Sequence, residues 1–216
     1  MSIRGIFDDI FLLELSIAGA VFVVITVLLV VFLVRRRAGA GRPASSRADN
    51  IVLEVSYAVA LLGIAVFLVV VTAQANHRQQ QMQAQFRGAP DVVRVDVTAF
   101  QWCWRFQHLD GPASTTGTCQ EDPATRPTLV VPIGRPVELR MTSHDVVHAL
   151  WIPDLALKSD VYPDHTNSLA VTFDHAGTWL GRCSEFCGTH HPTMDFYVRA
   201  VPEQEYQQYL ASGSPA

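Results

Sequence analysis

Two long apolar runs occupy the first third of the chain. No charged residue interrupts positions 15–34 or 55–75. A helix needs about 20 apolar residues to cross the hydrocarbon core of a bilayer, so each run predicts a membrane-spanning helix. We expect the spans at about residues 10–34 and 51–75, as a helical hairpin that occupies residues 1–76.

A secretory signal is the alternative interpretation of the first run. The apolar region of such a signal is shorter, roughly 7 to 15 residues, and follows a basic segment. Asp8 and Asp9 precede this run instead. The sequence therefore favours an uncleaved span.

The connection between the two predicted helices is strongly basic. Residues 35–50 contain five arginines and a single acid, Asp49. Short loops rich in arginine stay on the cytoplasmic side of a membrane. This orientation predicts a cytoplasmic loop at 35–50 and places the chain beyond about residue 76 on the outer face.

The pattern after the second apolar run is that of a β domain. A polar, Gln-rich stretch predicts a linker, or the frayed end of the second helix, at residues 77–90. Positions 93–98 then alternate apolar and polar with a period of two, which predicts a half-buried strand. Pro and Gly turn signals separate further predicted strands at 128–131, 137–142, 168–173, 178–183 and 196–201. These short strands predict an all-β sandwich or barrel over residues 91–216, with a short terminal helix that begins at Pro202.

The charge of this outer segment limits its partners. From His77 onward, fifteen acidic side chains outnumber ten basic ones. An acidic domain attracts basic partners and repels nucleic acid, so we expect no nucleic-acid binding.

A dense group of soft metal ligands lies near the end of the β domain. Thiolate and thioether sulfur select copper, and imidazole also suits it, whereas methionine is a poor ligand for zinc. A blue copper site uses only one cysteine, so the second thiol indicates a pair of bridged copper ions suited to fast electron transfer. A disulfide is the alternative for two thiols outside the cytoplasm. The group comprises Cys183, Cys187, His190, His191 and Met194.

Each copper ion needs an imidazole, and the group leaves two questions open. Its residue types do not distinguish His190 from His191 as the ligand. A further histidine must come from elsewhere in the chain. His148, about 35 residues before the first thiol, is the best candidate, with His144 as a nearby competitor.

The segments around these ligands resemble subunit II of the haem-copper oxidases, in the cytochrome c oxidase branch with a dinuclear CuA centre. The motif C-x-E-x-C-G-x-x-H-x-x-M runs from Cys183 to Met194, and D-V-x-H runs from Asp145 to His148. The resemblance implies a cupredoxin-like, Greek-key β domain after the hairpin. It also implies that the carboxylate of Glu185 helps to bind Mg²⁺ at the junction with subunit I. The copper ligands that it implies are His148, Cys183, the carbonyl of Glu185, Cys187, His191 and Met194.

Two further residues acquire roles from the same resemblance. Trp102, Trp104 and Phe106 alternate as if to fill one strand face, but Q-W-x-W in the family implies that Trp102 receives the electron from cytochrome c. Glu54, in a segment similar to E-x-x-W, is implied to be the mouth of a proton pathway.

The resemblance also implies partners and a location. The partners are subunits I and III, membrane lipid and either cytochrome c or a membrane-tethered cytochrome c domain. The location is the plasma membrane of a prokaryote, with the β domain outside. The implied function is the electron-accepting subunit of a proton-pumping cytochrome c oxidase. The alternative is a membrane-tethered cupredoxin that stores or delivers copper.

Cys103 and Cys119 lie outside the copper motif. Exposed free thiols are unfavourable outside the cytoplasm, where disulfides persist. We expect these two cysteines to form a disulfide; two buried free thiols are the alternative.

Overall fold

The chain forms two structural units, a helical one and a β one. The computed structural model describes residues 3–39, 49–119 and 122–212. The helical unit is Gly5–Arg78, and the β unit begins at Gln79.

Two long helices account for the helical unit. Helix α1 is Ile3–Ala38 and helix α2 is Ile51–Arg87. Both are long and apolar enough to cross a membrane. The Asn50 side chain accepts a hydrogen bond from the amide of Leu53 at 3.1 Å, which satisfies one of the free amides at the start of α2. The predicted cytoplasmic loop at 35–50 begins within α1, and its residues 40–48 lie outside the described part of the chain.

Helix α2 continues through most of the segment predicted as a linker. It reaches Arg87, whereas the predicted linker covers residues 77–90. The Gln, Arg, Ala and Met residues there are good helix formers, and the first glycine is Gly88. The polar residues therefore continue the helix and do not form a separate linker.

In the part of the chain that the structure describes, ten strands form two five-stranded sheets. Their orders are β3-β2-β1-β5-β8 and β4-β10-β9-β6-β7. Within the described residues, strand pairs β1–β5 and β10–β4 are parallel and the other ladders are antiparallel. The strands are β1 Val93–Phe100, β2 Cys103–His108, β3 Ser114–Thr116, β4 Thr128–Pro132, β5 Pro136–Ser143, β6 His148–Ile152, β7 Leu157–Val161, β8 Asn167–Thr172, β9 Gly177–Cys183 and β10 Asp195–Val201.

The core lies between the sheets. Alternate residues of β1 and β5 are fully buried, as their period of two requires. The ring of Phe196 packs against Trp104 and Phe106, with centroids 5.3 and 5.5 Å away. Gly181 faces Phe196 across the β9–β10 ladder, and a Cβ there would collide with that ring. The expected β sandwich is therefore confirmed, and its six predicted strands are all present.

A short helix completes the β unit. Helix α3, Glu203–Ser212, follows Pro202 and has Glu203 and Glu205 in its first turn, where acids complement the helix dipole. Tyr206, Tyr209 and Leu210 are buried against the domain.

Three chain segments meet at one end of the sandwich. They are the β1–β2 turn, the β5–β6 loop and the β9–β10 loop, whose strands are joined by the ladders described above. The amide of Ser184 donates to Ala149 at 3.0 Å, and that of Cys183 donates to Met194 at 3.1 Å. These bonds bring both ends of the Cys183–Met194 loop against the start of β6.

Candidate metal centre

Two thiols form the middle of the candidate metal centre. Their Sγ atoms lie 3.9 Å apart, and both cysteines are buried and free. Because β9 ends at Cys183 and the chain turns back at Cys187, the four-residue spacing brings both sulfur atoms to the same side of the loop.

One imidazole lies beside each thiol. His148 Nδ1 is 3.8 Å from Cys183 Sγ, and His191 Nδ1 is 3.5 Å from Cys187 Sγ. His148 is fully buried, and together with the two thiols it forms a compact group of potential metal ligands. The structure thus brings both implied histidines to the thiols.

A thioether and a carbonyl complete this group. Met194 Sδ lies 3.8 Å from Cys187 Sγ, and the carbonyl of Glu185 accepts from Cys183 Sγ at 3.3 Å. Met194 is fully buried, whereas the side chain of Glu185 belongs to an exposed residue. The carbonyl of Glu185 therefore faces the thiols while its carboxylate is accessible from outside.

A carboxylate orients His148. Its Nε2 lies 2.8 Å from Asp145 Oδ1, so Nε2 carries the proton and donates, which leaves Nδ1 directed at Cys183. Burial opposes ionisation of both groups, but their mutual hydrogen bond lowers the pKa of Asp145 and helps to raise the pKa of His148. Asp145 Oδ2 also accepts from the amide of Gln101 at 2.7 Å.

Two tryptophans support the thiol loop. The buried Trp104 donates its indole N–H to the Met194 carbonyl at 3.2 Å. The half-buried Trp102 donates to the Cys187 carbonyl at 3.0 Å, and the side chain of Gln101 donates to the same carbonyl at 2.8 Å. Sequence reasoning missed the supporting roles of Gln101 and Trp104, although both stand in the Q-W-x-W motif.

The two thiols cannot readily ionise together. Burial opposes ionisation of Cys183, but hydrogen bonds from His148 and the backbone lower its pKa to about 7. Burial and the neighbouring Cys183 raise the pKa of Cys187. A second thiolate so close to the first needs a compensating cation, which is the electrostatic demand that a soft metal satisfies.

Four of the residues singled out from the sequence lie elsewhere. Glu54 lies in the first turn of α2, within the helical unit. Cys103 and Cys119 are buried and bonded to each other. His144, the competitor of His148, is exposed at the start of the β5–β6 loop, and the described ligand group does not include it.

The predicted strand face requires a correction at one residue. Trp104 and Phe106 are fully buried in β2, but Trp102 lies in the turn before that strand and is only half-buried. The tight β1–β2 connection occupies positions 101–102, so the alternation does not extend back to Trp102.

Comparison with known proteins finds a family that the β domain resembles. The family model described as "Cytochrome C oxidase subunit II, periplasmic domain" matches residues 117–201, which include all the residues of the thiol loop. Over these residues the chain is similar to the cytochrome c oxidase subunit II family. With its two membrane-capable helices, it is a membrane protein with an extracytoplasmic domain.

Individual relatives agree with this similarity. "Probable cytochrome c oxidase subunit 2" of Streptomyces avermitilis is 33% identical over 195 residues, which cover 74% of this chain and 60% of the relative. "Cytochrome c oxidase subunit 2" of Alkalihalophilus pseudofirmus is 27% identical and covers 91% of this chain and 56% of the relative. The chain thus spans somewhat more than half the length of these relatives.

A solved structure supports the fold of the β unit. The periplasmic domain of subunit II of cytochrome oxidase from Bradyrhizobium japonicum is 26% identical, with a TM-score of 0.50. The match covers 55% of this chain and 90% of that domain. The expected cupredoxin-like domain is therefore confirmed.

The residues present suit a copper pair. Two thiols, two imidazoles, a thioether and a carbonyl converge. Among the described residues, the hydrogen-bond contacts of the two sulfur atoms include no carboxylate oxygen. This donor set is soft, as copper requires and as Mg²⁺ or Ca²⁺ does not.

Proposed function

We propose that this chain is the electron-accepting subunit of a proton-pumping cytochrome c oxidase in the plasma membrane of a prokaryote. The observation that carries the proposal is the pair of buried thiols 3.9 Å apart, each with an imidazole beside it. A dinuclear CuA centre held there would supply electron transfer from cytochrome c towards the haem and copper of subunit I, where oxygen is reduced to water.

The chain's own residues hold this centre in place. Cys183 and Cys187 would supply the two thiolates, His148 and His191 the imidazoles, and Met194 the thioether. The carbonyl of Glu185 supplies the remaining ligand. Burial of the thiols and of His148 excludes water from one side of the centre. The bond from His148 to Asp145 and the bond from Trp104 to Met194 keep two ligands in position.

Trp102 connects the protein surface to the ligand loop. It is half-buried, and its indole N–H bonds to the carbonyl of Cys187, a bridging residue in this proposal. We propose it as the residue that receives the electron from a cytochrome c, either soluble or tethered to the membrane. The acidic balance of the outer domain suits a basic donor.

Two carboxylates extend the proposal to the rest of the oxidase. The exposed side chain of Glu185 is available to a Mg²⁺ ion shared with subunit I, because its carbonyl and not its carboxylate faces the thiols. Glu54, in the first turn of a membrane-capable helix, is proposed as the mouth of a proton pathway, since an acid within a membrane span is costly unless it has a function. Subunits I and III and membrane lipid are the proposed neighbours of the two helices.

The test is electron transfer from a physiological type of donor. The copper-loaded full chain in detergent is mixed without oxygen with reduced cytochrome c, and oxidation of the haem is followed by absorbance. We expect rapid oxidation of one cytochrome per chain, and none with a Cys187→Ser variant. The chain alone should consume no oxygen, because the oxygen chemistry belongs to subunit I.

A copper-storing cupredoxin gives a different result. It would surrender copper to an acceptor protein and oxidise cytochrome c slowly, if at all. Slow oxidation with a full copper complement would therefore contradict the proposed function.

A further inference from the structure

His190 lies in the thiol loop, but its ring contacts a tryptophan and not a thiol. The centroids of the His190 and Trp102 rings are 4.8 Å apart at an interplanar angle of 68°, an edge-to-face pair. Within the described part of the chain, the imidazole has no hydrogen-bond partner. Packing on Trp102 is therefore the interaction that the His190 ring makes.

The backbone holds this ring in place. The carbonyl of His190 accepts from the amide of Thr193 at 3.1 Å and from its hydroxyl at 3.0 Å. A short 3₁₀ helix begins at the next residue, His191. The amide of His191 also donates to the Gly188 carbonyl at 3.1 Å, so hydrogen bonds fix the backbone before and after this residue pair. The two imidazoles contact different partners: the His191 ring contacts Cys187, and the His190 ring contacts Trp102.

Trp102 has further contacts besides His190, including packing against the hydrophobic core. The indole N–H is bonded to the Cys187 carbonyl at 3.0 Å. Gly188, at φ +117°, lies directly against the ring, since a Cβ there would be 3.1 Å from the indole nitrogen. Because Gly188 has no side chain, the indole can approach its backbone closely, but glycine offers little surface for packing. His190 is an exposed residue, and its ring packs edge-to-face with this indole.

We propose that His190 is a positioning residue that holds the Trp102 indole in the orientation in which its N–H reaches the Cys187 carbonyl. The inference rests on the proposed function for its consequence, because Trp102 is the proposed point at which the electron arrives. The geometry itself is independent of copper and can be tested without it.

Exchange of the indole proton measures this positioning. The full chain in detergent is labelled with ¹⁵N at tryptophan, and the Trp102 indole signal is identified by its loss in Trp102→Phe. In His190→Ala, exchange of this proton with solvent should accelerate about 3- to 10-fold, the range expected for loss of one edge-to-face aromatic pair. His190→Phe retains a ring and should restore slow exchange.

The chain offers a matched control. His175 and Trp179 form another edge-to-face pair, with centroids 5.5 Å apart. His175→Ala should change the Trp179 signal and leave that of Trp102 unchanged. Unchanged signals of the other indoles in His190→Ala will show that the domain is intact.

Electron transfer supplies the functional readout. His190→Ala should keep its copper content and accept electrons from a small reductant at the normal rate, but accept them several-fold more slowly from cytochrome c. Equal exchange rates in the unsubstituted chain and His190→Ala would overturn the inference, as would failure of His190→Phe to restore slow exchange. A chain that binds no copper pair but shows the exchange effect would refute the proposed function and keep the positioning role.

Discussion

Replacement of Asp145 tests whether an outer carboxylate orients the ligand His148. Asp145 accepts three hydrogen bonds shorter than 3 Å: Oδ1 accepts from His148 Nε2 at 2.8 Å and from the amide of Val146 at 2.7 Å, and Oδ2 accepts from the amide of Gln101 at 2.7 Å. An asparagine has one acceptor oxygen. In Asp145→Asn, an NH₂ group must therefore face either the His148 ring or the Gln101 amide, donor against donor.

The size of the effect follows from those bonds. Loss of the carboxylate that orients a metal-bound histidine weakens metal binding by about 10- to 100-fold, roughly 1.4 to 2.8 kcal/mol. Asp145→Ala removes both acceptor oxygens and should cost at least as much. We expect both variants to fold, because Asp145 lies in an exposed loop outside the core.

Competition with a copper chelator measures this change in the full chain. The control is Asp174→Asn, which removes the same charge from an exposed position in the β8–β9 loop. Circular dichroism confirms that each variant keeps its fold. Copper dissociation constants that are the same for Asp145→Asn, Asp145→Ala and the control would refute the orienting role of the carboxylate.

Three further predictions concern individual side chains. His191→Asn should abolish binding of the copper pair and His190→Asn should preserve it, as metal analysis of the two purified variants will show; equal losses would contradict the assignment. Burial lowers the pKa of His108 to about 4 in the folded chain, although the charge of Asp110 raises it, whereas the pKa in the unfolded chain is 6.5. The stability that neutral His108 supplies is therefore complete above pH 6.5 and falls by about 3 kcal/mol as the pH drops towards 4; acid unfolding of His108→Gln should lack this component, and an unchanged pH profile would refute it. In the denatured, copper-free chain without reductant, iodoacetamide should modify Cys183 and Cys187 but not Cys103 or Cys119, and mass spectrometry showing four modified cysteines would exclude the disulfide.

Local pattern was sufficient for the part of the site that is local in sequence. The ligands from Cys183 to Met194 lie in one loop, so their types and spacing indicate a soft metal pair before any fold is known. His148 is different, because it reaches the thiols through the β6–β9 ladder, in which Leu150 pairs with Cys183. Strand pairing of this kind depends on contacts distant in sequence, so the residue types could name His148 only as the best candidate, and the family resemblance then implied it as a ligand.

Neighbouring residues of the same type could not be separated by pattern. The rings of His190 and His191 have different contacts, with Trp102 and Cys187 respectively, and a 3₁₀ helix begins between the two residues. The alternation of Trp102, Trp104 and Phe106 was misleading for a similar reason, since a tight turn removes Trp102 from the strand.

Two of the four strands that were not predicted are short or weakly patterned. Strand β3 has only three residues, and β7 has apolar residues at its ends alone. Both lie at the edges of their sheets, where one side of the strand needs no partner and the pattern of burial is weak.

The proposed function depends on two copper ions that share the two thiolates of Cys183 and Cys187. The most direct measurement is the copper content of the full chain in detergent, together with its electron paramagnetic resonance spectrum. We predict two copper ions per chain and a hyperfine pattern from one unpaired electron shared equally by both nuclei. A single copper ion with the spectrum of one nucleus, or no bound copper, would contradict the account.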